Sequence, residues 1–230
     1  MKYSDIIKMD LTSNEIIEAV RHARRETFID NLRERNEFVA LDSKIRGYMG
    51  EIYLKKLFSL NNIRVSNINH KDNRFGTDID IEITTIGGNS LKVECKTSLV
   101  PDYYKTIQRC ISKCDIKIIQ RENDFLSIPA DIHIQIYFNE LTNKRDAKLS
   151  QIPGHIGDYS DGQIIELLRL KELDGFFVAW IDRKSLNRYL SSFREYKDRI
   201  WSFGYRKFWK CPLSLSYAPK ELIQYLNTTN

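Results

Sequence analysis

Apolar positions recur at helical spacing near the start of the chain. Ile16, Val20, Ala23 and Leu32 lie on one side of a segment opened by Thr12-Ser13-Asn14-Glu15. That opening has the form of a capping box and predicts a helix from about residue 13 to 35. A second stripe, Ile45, Met49, Ile52 and Leu57, predicts a helix from residue 42 or 43 to about 60, and residues 63–68 read as a short strand. The period then switches to two. Ile79, Ile81 and Ile83 alternate with Asp78, Asp80 and Glu82; after the turn Ile86-Gly87-Gly88, Leu91, Val93 and Cys95 alternate with Lys92, Glu94 and Lys96. This is the clearest β-hairpin in the chain.

Ile107, Cys110, Ile111 and Cys114 return to helical spacing after Pro101, and Ile132, Ile134, Ile136 and Phe138 alternate as a strand. A Gly- and Pro-containing loop at 151–162 precedes a short helix at 163–170. The near-continuous apolar run 176–181 suits a central strand buried on both faces. Residues 185–192 read as helix and 205–211 as strand, and Pro219 suits the first position of a final helix. The order predicts an α/β fold, a mixed sheet flanked by helices with an N-terminal helical extension. We read one domain, with residues 1–40 as the extension, about 43–185 as the core and 186–230 as a C-terminal extension.

Composition narrows the class. Of 230 residues, 42% are hydrophobic and 29% charged, the balance of a globular chain with a sizeable core. No run is long enough for a membrane helix, and the N-terminus has acids and no apolar stretch of secretory type. The four cysteines form no CxxC pair, so reduced thiols in a cytoplasmic protein are expected. A formal charge of +5 is compatible with an anionic partner without requiring one. No Walker-type glycine loop is present, so no nucleotide cofactor is expected. His70, His133 and His155 have no partner at ligand spacing.

The hairpin carries the candidate chemistry. If Gly88 supplies the left-handed residue of a three-residue loop, Thr85 pairs with Asn89. That register sets Asp80 across from Glu94 and Asp78 across from Lys96, with opposed Cβ atoms about 5 Å apart. Two carboxylates so close repel unless a cation lies between them, and Mg²⁺ suits such oxygen donors. The plainer reading is an exposed polar face cross-paired through Lys92 and Lys96. On the second helix, Gly47, Gly50 and Glu51 share a face. Two glycines inside a helix cost about 1 kcal/mol each relative to alanine. Close packing would account for them and would press Glu51 toward the sheet.

Gly50-Glu51 on a helix, Gly76-Thr77-Asp78-Ile79-Asp80 entering a strand and Val93-Glu94-Cys95-Lys96 on the next resemble the PD-(D/E)xK nuclease superfamily. The resemblance covers about residues 43–98 by motif and the later strands by order alone. It implies a restriction-endonuclease-like fold and a phosphodiesterase that cuts DNA with Mg²⁺ or Mn²⁺. It implies Glu94 as metal ligand, Lys96 as catalytic lysine, Asp80 or Asp78 as aspartate ligand, and Glu51 as an assisting acid. The literal Pro-Asp pair is absent. The hairpin register favours Asp80, whereas the Gly-x-Asp pattern of many relatives favours Asp78.

Residues 199–210 hold Arg199, Arg206, Lys207 and Lys210 among five aromatic residues and no acid, a composition that suits phosphate contact and base stacking. Tyr103 and Lys105 follow the second hairpin strand and are further candidate DNA contacts. Arg21, Arg24 and Arg25, interleaved with acids, read as a solvated face or an oligomer contact. The expected function is a metal-dependent endodeoxyribonuclease, foremost a homodimeric type II restriction endonuclease. A Holliday-junction resolvase, a virus-encoded or repair nuclease, and an RNA-processing nuclease share these motifs. A non-catalytic DNA-binding protein is the alternative of another class.

Overall fold

The computed structural model describes residues 2–25, 36–66 and 79–228. Strand β1 (Ile7–Lys8) precedes helix α1 (Ser13–Arg25). The expected capping box is present: the Thr12 N–H donates to Glu15 Oε2 at 2.6 Å, and the Glu15 N–H to Thr12 Oγ1 at 3.3 Å. The continuation of this helix to residue 35, with Leu32, lies outside the described residues. Helix α2 (Glu37–Leu60) begins earlier than its apolar stripe predicts, because Asn36 and not Asp42 or Ser43 caps it. The Asn36 side chain accepts from the Phe38 and Val39 N–H groups. Asp42 is instead buried within the helix, bonded to Arg46 at 2.8 Å and to Arg145 at 2.6 Å.

The chain continues through β2 (Arg64–Ser66), β3 (Ile81–Thr84), β4 (Ser90–Val100), α3 (Ile107–Lys113) and β5 (Ile118–Ile119). Then follow β6 (Ile132–Leu141), α4 (Thr142–Leu149), α5 (Asp161–Leu167), β7 (Gly175–Asp182) and α6 (Arg183–Ser191). Strands β8 (Ile200–Phe203) and β9 (Arg206–Trp209) precede the final helix α7 (Pro219–Thr228), which opens on its proline as expected. The single strand expected at 205–211 is thus a hairpin, and α4 and β5 carry too few periodic apolar positions to be legible in advance.

Among the described residues the main sheet has six strands in the order β1-β7-β6-β4-β3-β2. Strands β4 and β6 are parallel and the other pairs antiparallel, so the sheet is mixed as predicted. The run 175–182 is buried nearly throughout and lies between β1 and β6. The N-terminal segment is more than an appendage: β1 forms the sheet edge, and α1 buries Ile16, Ala19, Val20 and Ala23 in the main core. Arg21 and Arg24 of α1 reach Asp161 at the start of α5, while Arg21 and Arg25 remain exposed, so the expected solvated face also carries an internal contact.

Alternation along the strands sends side chains to two cores. Val93, Cys95, Leu99, Ile134 and Ile136 pack with α1, α2, α5 and α7. Val100, Tyr137, Val178 and Ile181 pack on the other face with α3, α6 and Trp209. Beyond that second core stands a small antiparallel sheet, β5-β9-β8. No helix among the described residues is long and apolar enough to cross a membrane.

Candidate functional site

The expected register is present. The pairs Thr84↔Ser90, Ile83↔Leu91, Glu82↔Lys92 and Ile81↔Val93 form the β3–β4 ladder, and the Thr85 N–H bonds the Asn89 carbonyl at 2.9 Å. Gly88 adopts φ +85°, the left-handed conformation that the loop requires of a glycine. The ladder stops one step short of the expected Asp80–Glu94 pair. There Asp80 turns its carboxylate onto the neighbouring strand, and Oδ2 accepts the Cys95 N–H at 2.6 Å. A side-chain oxygen thus takes the place of a backbone carbonyl at the point where β3 leaves β4. Asp78, with Gly76 and Thr77, lies outside the described residues.

Glu94 and Lys96 share the opposite face of β4 from Cys95, two residues apart. Lys96 Nζ lies 2.8 Å from Glu94 Oε1, with the lysine side chain 23% exposed and the glutamate 4%. The second oxygen, Oε2, meets His133 Nδ1 at 2.6 Å. His133 is Glu94's parallel partner on β6 and is buried. The sequence offers His133 no partner at ligand spacing; 39 residues separate it from Glu94, and only the crossover connection brings them together. Among the described residues its Nε2 has no hydrogen-bond partner. Two residues on, buried Gln135 donates to the Lys96 carbonyl at 3.0 Å and to Ser98 Oγ at 3.1 Å, while its Oε1 accepts the Lys117 N–H at 3.3 Å. Glu94 and Lys96 are therefore held from both the side chain and the backbone.

Helix α2 crosses the Cys95 side of the sheet. A Cβ on Gly50 would come within 2.8 Å of Thr97 Cγ2 and 3.3 Å of Cys95 Sγ. The predicted close approach is real, although side chains rather than backbone form it. Gly47 does not share it, since a Cβ there meets nothing within 4 Å. Glu51 follows Gly50, and its side chain is 12% exposed. The Cys95 thiol records what surrounds it. Burial pushes it well above its ordinary value; Asp80, Glu51 and Glu94 add to the shift and Lys96 opposes it.

Beside Lys96 opens a cleft of about 420 Å³. One wall is Ser43 and Gly47 of α2 with Cys95, Lys96 and Thr97 of β4. The other is one face of the small sheet: Lys117, Ile119, Trp201, Phe203, Arg206 and Phe208. The pairs Trp201↔Phe208 and Phe203↔Arg206 place these side chains on a common face, and Trp201 stacks on Phe208 with ring centroids 4.5 Å apart. The opposite face turns Trp209 and Ile118 into the second core.

Of the candidate DNA contacts, Arg206 lines the cleft. Lys207, opposite Ser202, belongs to the sheet's other face, and Lys210 lies over the Phe193 ring at 5.5 Å. Tyr103 and Lys105 follow the end of β4 at Val100, about 13 Å of strand beyond Lys96, and are not in the cleft. Arg199 packs over Phe125 at 5.0 Å. Among the other histidines, His155 meets Glu37 at an exposed position, and His70 lies outside the described residues. All four cysteines are free.

Among the described residues no three His, Cys, Asp or Glu side chains are grouped to hold a metal ion. The oxygen donors Asp80 and Glu94 are of the kind that holds Mg²⁺ through one or two carboxylates, with water and substrate oxygens completing its shell. Comparison of the chain with family models, with curated proteins and with solved structures finds no match. The chain is a mixed α/β protein with Asp80 at the point where β3 leaves β4 and a basic, aromatic cleft beside Lys96.

Proposed function

We propose that this protein is a metal-dependent endodeoxyribonuclease of the PD-(D/E)xK type, with a restriction-endonuclease-like core formed by α2 and strands β3, β4, β6 and β7. The observation that carries the reading is the divergence of β3 from β4. Asp80 sits on the Cys95 N–H there, while Glu94 and Lys96 stand 2.8 Å apart on the next strand. An edge hairpin with a merely solvated polar face would leave Glu94 exposed, whereas it is buried and held by His133.

In this reading Asp80 and Glu94 hold Mg²⁺ or Mn²⁺, with Glu51 and Asp78 as further acids. The bound ion supplies Lewis-acid neutralisation of charge on the scissile phosphate. Lys96, partly exposed at the cleft, orients the attacking water and offers an N–H to the phosphate oxygens. Glu94 fixes the lysine, and His133 fixes Glu94. Arg206 and Lys117 give the cleft the positive charge that a phosphate backbone requires. The biological role we infer is restriction-type cleavage by a cytoplasmic homodimer, since two sites are needed to cut both strands. A structure-selective junction or repair nuclease is the second reading, favoured by the exposed aromatic tip of the β8–β9 hairpin.

The test is incubation with supercoiled plasmid in Mg²⁺ and then in EDTA. The expected result is relaxation or linearisation in Mg²⁺ alone, reduced about 10²- to 10⁴-fold by Lys96→Ala. Asp80→Asn should abolish cutting more completely than Asp78→Asn. Undiminished cleavage by Lys96→Ala would move the site elsewhere. DNA binding without cleavage in either Mg²⁺ or Mn²⁺ would favour a non-catalytic binding protein.

A further inference from the structure

The β8–β9 hairpin ends in a two-residue turn, Gly204-Tyr205, between the paired residues Phe203 and Arg206. Gly204 adopts φ +59°, which lets the strands reverse tightly. At this tip Tyr205 is 99% exposed and Phe203 61%. Tyr205 stands fully in water, a costly position for a large ring. The base of the hairpin is anything but loose. Trp209 is 1% exposed in the second core, Trp201 stacks on Phe208, and β9 is pinned to β5. A rigid stem therefore presents an aromatic end.

Three observations identify the occupant. Phe203 lines the same cleft as Lys96, so the tip is continuous with the proposed catalytic site. Arg206 stands directly across from Phe203, Lys207 follows it, and the stretch 199–210 has no acid. Rings interleaved with cations match a polyanion that carries flat apolar faces, as a nucleic acid strand does. In an intact duplex those faces are covered by their neighbours; they become available where bases are unstacked.

We propose that the Phe203–Tyr205 tip is a stacking wedge that receives unstacked bases of DNA beside the scissile phosphate, directing the enzyme to sites where bases are unpaired or readily unstacked. This rests on the nuclease reading above and adds the substrate class to it.

The experiment measures binding of the full chain to two oligonucleotides, with Ca²⁺ replacing Mg²⁺. One is a complete duplex; the other is the same duplex with a short unpaired segment carrying 2-aminopurine. The unpaired substrate is expected to bind more tightly by roughly 5- to 150-fold for each base stacked. Its 2-aminopurine fluorescence should fall on binding. In Tyr205→Ala/Phe203→Ala both the preference and the quenching should disappear, and Tyr205→Trp should retain them. Both positions are exposed, and an unchanged circular dichroism spectrum would show that the variants are folded. Equal binding of both substrates without quenching would overturn the wedge. So would a dimer, detected by sedimentation, that dissociates in Tyr205→Ala while DNA preference is unchanged. Mg²⁺-dependent plasmid cleavage that is lost in Lys96→Ala reports on the nuclease reading separately, so the wedge can fail while that reading stands.

Discussion

Two clusters of acids and bases differ in what their charged groups hold. In the first, Asp42 of α2 meets Arg46 and Arg145, Arg145 also meets Glu140, and Lys148 closes on Glu140 at 3.0 Å. Arg145 additionally donates to the Leu168 carbonyl at 2.9 Å. Each acid in this cluster has a basic partner. In the second, around β4, Glu94 meets Lys96 at 2.8 Å and His133 at 2.6 Å, Asp80 accepts the Cys95 N–H, and Glu51 lies 3.9 Å from Lys55. The first cluster also borders the larger cavity, about 530 Å³ against 420 Å³. Cavity size therefore does not single out the proposed site. The first network joins acids to arginines and is a structural clasp, whereas the second sets Asp80 at the opened edge of β4 and Lys96 beside a cleft.

The sharpest way to break this comparison is to neutralise one acid in each cluster. Glu94→Gln should lower Mg²⁺-dependent cleavage by about 10²- to 10⁴-fold with little change in the urea midpoint. Asp42→Ala should do the reverse. It leaves two buried arginines short of a partner and should cost about 3–5 kcal/mol in urea unfolding. If Glu94→Gln proved as destabilising as Asp42→Ala, the distinction between clasp and site would fall.

Acid should affect the clasp in a defined direction. Burial raises the Asp42 carboxyl, but Arg46 and Arg145 outweigh it, and its value is held below the ordinary 3.8. A carboxyl depressed on folding contributes stability above its unfolded value and loses it as pH falls through the folded one. Wild type should therefore lose stability below about pH 3.8 more steeply than Asp42→Asn, as followed by acid titration of the circular dichroism signal.

A smaller effect is expected at His133. Its Nδ1 contact positions Glu94, so His133→Asn should raise the Mg²⁺ concentration for half-maximal cleavage by about 10- to 100-fold. A loss of stability with an unchanged Mg²⁺ dependence would make the contact structural only. Smallest of all is the contrast between the two helix glycines. Gly50→Ala pushes a Cβ against Thr97 and should cost about 1–3 kcal/mol. Gly47→Ala meets open space and should stabilise α2 by about 0.5–1 kcal/mol, while narrowing the cleft that Gly47 lines. Thermal unfolding of both variants separates the two roles.

Much of the site was legible because a hairpin is local. Alternation of Ile81 and Ile83 with Asp80 and Glu82, together with a turn ending in Gly88, determined the β3–β4 register without any distant contact. Gly50 beside Glu51 likewise signalled a close approach from its helical cost alone. Asp42 misled for a related reason: aspartate before an apolar stripe favours a helix cap, and nothing local shows that Arg145 is waiting 103 residues away.

The sequence by itself determined the mixed α/β pattern, the central buried strand, the hairpin and the acids and lysine that it carries. These follow from side-chain periodicity and turn chemistry over a few neighbouring residues. Only the tertiary structure decided that His133 stands beside Glu94, that Gln135 supports Lys96, and that the 200–209 hairpin forms the far wall of the cleft. Those juxtapositions arise from a parallel crossover and from packing between separate sheets, where the partners are chosen by shape and burial across the whole chain.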